Sequence, residues 1–408
     1  DRVPGAADLV CYWFEKARAM IGAASLGRAG LLATQAIRGG ANRIALERVK
    51  ETGDIFWAQS DRDWILEGAT VHVSMVGFDA GSEQTRTLDG LAVKTINADL
   101  TGGVDLPQAV QLQENRGICF RSDEKGGPFD IDEATAQKML AASPNPNGRP
   151  NSDVVRPYYN ARDITQGWRR MWIIDFGCET PMEEAALYEL PFEHVRRTVK
   201  PARDRVRNAR EREHWWLHRR PGPDMRRAMA RFPRFIVTPR VAKHRLFVWL
   251  DNNTTPDCAL YAFARDDDYF FGILHSRLHE LWARGTGTQL RDAKSGFRYT
   301  PTTTFETFPM PWSPGQEPAD DPRVQAVAQA ARELVQKRDA WLNPEGATEK
   351  ELKKRTLTNL YNERPTWLDL AHRKLDEAVL DAYGWPHELE DEEILERLLA
   401  LNLQRAND

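Results

Sequence analysis

Clusters of proline and glycine set the outer limits on what this 408-residue chain can fold into. Gly126-Gly127-Pro128, Pro144-Asn145-Pro146-Asn147-Gly148-Arg149-Pro150 and Pro311-Trp312-Ser313-Pro314-Gly315 each forbid a continuous helix or a central strand. Proline lacks the amide donor both ladders need, and glycine costs backbone entropy. The segments between these breaks have room for roughly two to four domains at ~100–200 residues each. No apolar run reaches about 18 residues, so no membrane span is expected. Cys11, Cys119, Cys178 and Cys258 lie far apart, with no C-x-x-C pair. That argues against a disulfide scaffold or a zinc ribbon, and for a reducing, cytoplasmic setting.

The patterning differs between segments. Residues 1–80 read as α/β: a helix from Asp8, which can cap it, through Ile21; a buried strand at Leu31-Leu32-Ala33-Thr34; a helix to about Val49; and strands at 54–58 and 70–78. This order looks like half of a doubly wound sheet whose last two strands are adjacent. Residues 81–165 are turn-rich and read as a connector with one helix near 132–142. Residues 166–312 alternate short apolar strands with basic loops, with a helix expected over 268–282. Residues 313–408 read as a helical region, with helices near 322–340, 349–363, 366–383 and 390–404.

A formal net charge of −4 hides a strong asymmetry. Between 192 and 245 there are seventeen lysines and arginines against five carboxylates, a net +12 dominated by arginine, with His214, Trp215, Trp216 and His218 interleaved. Arginine's planar fork grips phosphates and guanine edges bidentately, so the stretch suggests nucleic-acid contact. For Arg203–Arg212 an equal reading is a solvated helix paired with the acidic C-terminal region. For Arg240, Lys243, His244 and Arg245, clustered at a loop-to-strand junction, contact is favoured.

No G-x-x-x-x-G-K-[ST], H-E-x-x-H, G-x-S-x-G or G-x-G-x-x-G occurs. His275 and His279 share a helix face at i, i+4, but no third ligand is indicated, so packing is the preferred reading and no metal site is assigned. The residues alone describe a nucleic-acid-binding chain without a self-contained active site.

Several strings carry more. They are Asp8-Leu9-Val10-Cys11-Tyr12-Trp13-Phe14-Glu15-Lys16-Ala17, Leu32-Ala33-Thr34-Gln35-Ala36-Ile37-Arg38-Gly39-Gly40 and Ser60-Asp61-Arg62-Asp63-Trp64-Ile65-Leu66-Glu67-Gly68-Ala69. Further along come Val237-Thr238-Pro239-Arg240-Val241-Ala242-Lys243-His244-Arg245, the run Arg298–Pro309, and Arg364-Pro365-Thr366-Trp367-Leu368. In this order they resemble the C-terminal two-thirds of MmeI-like DNA adenine methyltransferases, gamma-type enzymes of restriction-modification and phage-defence systems. The resemblance implies the C-terminal half of a Rossmann-like class I methyltransferase domain (1–80), the connector (81–165), a mixed α+β target-recognition domain (166–312) and a helical C-terminal domain (313–408). It implies S-adenosylmethionine as cofactor of the complete enzyme, double-stranded DNA as partner, and methyl transfer to the N6 amine of a flipped adenine.

The family's Asn-Pro-Pro-Tyr/Phe loop and Gly-rich cofactor loop are not found in the 408 residues. Both lie upstream of the Asp8–Ala17 match in the family. The expectation is therefore a chain inactive and cofactor-free by itself, with the missing N-terminal methyltransferase half cut away or supplied by another polypeptide. From the resemblance, Asp8 would orient the catalytic loop and Trp64 would stack on the extruded base. Arg38, Gly39, Gly40 and Arg43 would shape the base pocket or touch phosphate. Arg240, Lys243, His244, Arg245, Arg277, Arg291, Lys294, Arg298 and Thr300 would contact DNA. Thr303, Phe305, Phe308 and Pro309 look like a closing strand. The competing reading is a non-catalytic specificity subunit that binds DNA and recruits a separate catalytic chain.

Overall fold

The computed structural model describes residues 2–66, 69–289 and 296–407, in two compact units, 1–108 and 109–408. The first unit follows the predicted order: α1 (Val10–Gly22), β1 (Arg28–Thr34), α2 (Gly40–Thr52), β2 (Asp54–Leu66) and β3 (Ala69–Asp79). The short strands β4 (Arg86–Leu88) and β5 (Leu91–Val93) extend the sheet to the order β1-β3-β2-β4-β5. β3 lies between β1 and β2 and is antiparallel to both. Cys11, Phe14 and Ile21 of α1 recur at helical spacing and pack with Ala45, Leu46 and Val49 of α2 and with Ile55, Val76 and Phe78 of the sheet.

Two local expectations are corrected here. Asp8 does not cap α1 with its side chain; its backbone carbonyl accepts from the Cys11 amide, and its carboxylate accepts from Asn42 Nδ2 at 2.8 Å. The Asp8 amide in turn donates to Asn42 Oδ1 at 2.7 Å, so the pair ties the entry of α1 to α2. β1 is not buried. Among the described residues it pairs only with β3, and Leu32 is 43% exposed.

The second unit begins with β6 (Cys119–Arg121), β7 (Asp130–Ile131), α3 (Glu133–Leu140), β8 (Val155–Tyr159), α4 (Ala161–Gln166) and β9 (Trp172–Ile174). Short helices follow: α5 (Met182–Ala185), α6 (Glu189–Thr198), α7 (Lys200–Arg203), α8 (Ala209–Glu213) and α9 (Pro223–Met229). Next come β10 (Arg234–Pro239), β11 (Val241–Ala242), β12 (Val248–Asp251), β13 (Thr255–Pro256), β14 (Leu260–Phe263), α10 (Asp268–His275), α11 (Arg277–Thr286), β15 (Thr288–Gln289), β16 (Phe297–Arg298) and α12 (Pro301–Thr304). The strands form sheets ordered β12-β10-β14-β6, β13-β8-β9-β7 and β11-β16-β15. The stretch read as a connector thus divides. β4 and β5 join the first sheet, while β6, β7 and β8 are built into the second unit. Strands of two to five residues leave no readable alternation, which is why they were missed.

The helix expected over 268–282 breaks at Ser276, which adopts extended backbone and caps α11 through its side chain to the His279 amide. Residues 301–308 are α12 and a turn rather than a strand; Phe305 and Phe308 are buried against Phe263, Phe270 and Trp282. The helices α13 (Pro322–Leu342), α14 (Glu349–Leu352), α15 (Leu357–Glu363), α16 (Thr366–Tyr383) and α17 (Asp391–Asn407) complete the unit. They are packed onto the strands and helices before them. Gly272 on α10 lets α13 and α16 approach so closely that a Cβ there would stand 2.8 Å from Val327 and 3.2 Å from Ala331 and Leu375. Asn402 of α17 donates to the carbonyls of Val110 and Thr307 at 2.7 Å each.

Candidate nucleic-acid interface

The interior of the second unit is held by charge as well as by apolar contact. Asp123, Asp175 and His218 are buried, and Arg226 bridges both carboxylates at 2.6 and 2.7 Å. His218 Nδ1 lies 2.9 Å from Asp123, and Nε2 lies 2.9 Å from the Ile174 carbonyl. Both ring nitrogens face acceptors, so both donate and the ring is an imidazolium. Burial opposes that charge, but Asp123 outweighs it and the pKa of His218 is raised. The three donor groups lie close enough together to suggest a metal ligand set. Arg226 and the Ile174 carbonyl already take their free valences, so the cluster is a closed ion network joining the segments after β6 and β9 to α9.

A second set of arginines is spent internally. Arg203 is buried, pairs with Glu211 at 2.8 Å and donates to the carbonyls of Lys125 and Leu217. Thus the segment 203–212 is neither a continuous solvated helix nor paired with the acidic C-terminal region at this residue. Arg245, expected at the DNA, is 3% exposed. It lies between the rings of Phe297 and Tyr299 and donates to Thr238 Oγ1 and the carbonyls of Pro239 and Phe297. Burial lowers its pKa to about 10. A guanidinium so enclosed holds the ribbon above it and does not reach a duplex.

That ribbon is β11–β16. Val241 faces Arg298 and Ala242 faces Phe297. Ala242 and Phe297 point inward, while Val241, Lys243 and Arg298 are exposed. Gly296, at φ +83°, permits the approach, since a Cβ there would collide with the Ala242 carbonyl at 1.9 Å. The other expected contacts fall into four groups. Arg298 has no carboxylate partner among the described residues. Lys243 and His244 both engage Asn362 of α15, at 2.6 and 2.9 Å. Arg240 is half-buried over the Tyr261 ring, Thr300 is half-buried at the start of α12, and Arg277 is paired with Asp391 of α17. Arg291 and Lys294 lie outside the described residues.

His275 and His279 are committed to packing. Arg338 donates to His275 Nε2 at 2.6 Å, and burial with this cation holds His275 well below its usual pKa. His279 receives the Tyr299 hydroxyl at 3.0 Å and donates to the Leu274 carbonyl, with burial pushing its pKa down to about 3.

Within the stretch 203–212, which the sequence left open between nucleic-acid contact and a solvated helix, the fold leaves three cations free. Arg205, Arg207 and Arg210 are exposed and have no carboxylate partner among the described residues. Local charge density marked the stretch, but only the fold separates these from the buried Arg203.

In the first unit, Trp64 stands 43% exposed on β2 opposite Val71 of β3, an indole face open to solvent. Arg38 donates to the Asp99 carbonyl at 2.9 Å and Arg43 pairs with Glu47 at 2.7 Å, so both are engaged within the unit. Gly39 caps α2, and Gly40 has φ +56°, the conformation that favours glycine at this turn.

Residues 122–312 match the family described as "MmeI, target recognition domain". DNA methyltransferase A of Bacillus subtilis (strain 168) is 31% identical over 144 residues, 35% of this chain and 14% of that protein. The type IIL restriction-modification enzyme MmeI, solved in complex with DNA, superposes with a TM-score of 0.70 at 18% identity. That match covers 98% of this chain and 53% of the MmeI chain. The chain therefore spans about half of the solved relative and a small part of the curated one. Residues 122–312 thus match the MmeI target recognition domain model, in a chain whose fold is similar to that of MmeI.

Proposed function

We propose that this chain is the DNA-reading arm and trailing methyltransferase strands of an S-adenosylmethionine-dependent, site-specific DNA adenine-N6 methyltransferase of a restriction-modification or phage-defence system. The match of residues 122–312 to the target recognition domain carries the reading. Exposed, unpaired arginines on that domain supply the electrostatic attraction a duplex requires. The exposed ribbon of β11 and β16 is a two-stranded element of the kind that enters a major groove.

The first unit supports the methyltransferase part. β1 and β2 run parallel, joined by α2, with β3 inserted between them. Its bare edge at β1 suits addition of further strands, the proposed upstream half of the sheet. In the complete enzyme Trp64 would stack on an extruded adenine. The residues present do not make up a cofactor site. A cavity of about 630 Å³ lies along α1, lined by Arg2, Tyr12, Glu15, Lys16 and Met20, and not at the carboxyl ends of the parallel strands.

The test is duplex binding by the 408-residue chain, followed by methylation assays with an added polypeptide carrying an Asn-Pro-Pro-Tyr loop. Restored N6-methyladenine supports the enzyme reading. Duplex binding with no methylation by any such complement supports the specificity-subunit reading.

A further inference from the structure

A cavity of about 290 Å³ in the second unit lies apart from the β11–β16 ribbon in the chain and is lined by Arg121, Arg210, Arg219 and Arg220. Glu124 organises three of them, with Arg121 and Arg219 each 3.1 Å from its carboxylate and Arg220 at 3.7 Å. Glu211 holds Arg219 from the other side at 3.2 Å. Arg210 has no carboxylate partner among the described residues. With Glu124 and Glu179 as the carboxylates of the lining, the wall keeps a net charge of +2.

One further observation points to a ligand. Ser122, also in the wall, is 3% exposed, and its hydroxyl is buried without a hydrogen-bond partner. A buried hydroxyl left unpaired is destabilising unless something accepts from it, and it sits beside guanidinium forks that match tetrahedral oxyanions.

We propose that this cavity is a phosphate-binding site. The guanidinium groups grip the oxygens in pairs, and the Ser122 hydroxyl donates to one of them. The phosphate is either a diester of a DNA backbone or a free phosphate ion or ester. The first alternative rests on the DNA-reading proposal; the affinity for phosphate does not.

The experiment is calorimetric titration of the whole chain with inorganic phosphate at constant ionic strength, with chloride as the reference anion. Saturable binding is expected. It should weaken about tenfold in the Arg210→Ala/Arg220→Ala double variant and by a smaller factor in Ser122→Ala, with unchanged thermal melting confirming that the variants fold. No saturable binding to the parent chain, or equal binding by all three proteins, overturns the site. Adding a duplex then separates the sources. Displacement of phosphate by DNA assigns a backbone diester, and undisturbed phosphate binding assigns a free phosphate; either keeps the site. Duplex binding without phosphate binding sinks this proposal and leaves the DNA-reading one standing, and the reverse result does the opposite.

Discussion

In residues 1–108 large apolar side chains stand in solvent beside a strand with a free edge. In residues 109–408 charged side chains stand in the interior against carboxylates, carbonyls and aromatic rings. Leu9, just before α1, and Tyr12 and Trp13 on it are 77%, 51% and 56% exposed, in the same unit as the bare β1. Arg203, Arg245 and Arg338 of the second unit are each exposed by 3% or less. Physically these are opposite conditions. An uncovered apolar helix and sheet edge favours association. Charges buried on their partners are costly to separate from them. The second unit thus keeps charge in its interior, and the first presents apolar side chains and a sheet edge to solvent.

The sharpest way to break this comparison is Asp123→Ala. It leaves His218 a buried cation without its carboxylate and Arg226 with Asp175 alone, and about 3–5 kcal/mol of stability should be lost, read by urea unfolding of the chain. A loss under about 1 kcal/mol would mean the network is peripheral. Next comes pH. The folded pKa of His218 is raised above its ordinary value. Its contribution is therefore complete below about pH 6.5 and fades as pH climbs through the raised value. Melting temperature should fall across that alkaline window, and His218→Asn should remove the dependence. A dependence that survives the substitution belongs to another group.

In the first unit, Trp13→Ser with Leu32→Ser should cost little stability, because both side chains are exposed. The pair should lower self-association in sedimentation runs; unchanged association would show that the edge is not adhesive. The smallest effect expected on DNA affinity is that of Trp64→Ala, within about twofold, since stacking acts on the extruded base and positioning comes from phosphate contacts. The same substitution should abolish methylation in the complete enzyme, and normal methylation would remove Trp64 from that role.

Much of this was legible in the residues. The order α1, β1, α2, β2, β3 followed from long, strongly periodic segments, as did the extents of α13 and α16. The strings around Arg240 and Thr300 carried the family. What stayed hidden depends on neighbours far off in the chain. The fate of each arginine is one such case: Arg203 and Arg205 are two residues apart, yet one is buried on Glu211 and the other is free. Arg245 looked like a contact because it ends a cationic run, and only the rings of Phe297 and Tyr299, more than fifty residues later, enclose it. The short strands β6, β7 and β8 carry too few residues for any period to show. The exposure of Leu32 could not be read from an apolar run that suits a central strand equally well.

The central claim is that the second unit reads duplex DNA through its free arginines. Duplex affinity of the whole chain, measured from about 50 to 200 mM salt, tests it most directly. The account predicts tight binding at low salt that falls steeply as salt rises. It also predicts a slope shallower by roughly 2–3 when Arg205, Arg207 and Arg298 are replaced together by alanine. Absence of binding at the lowest salt, or a slope indifferent to those three residues, would contradict it.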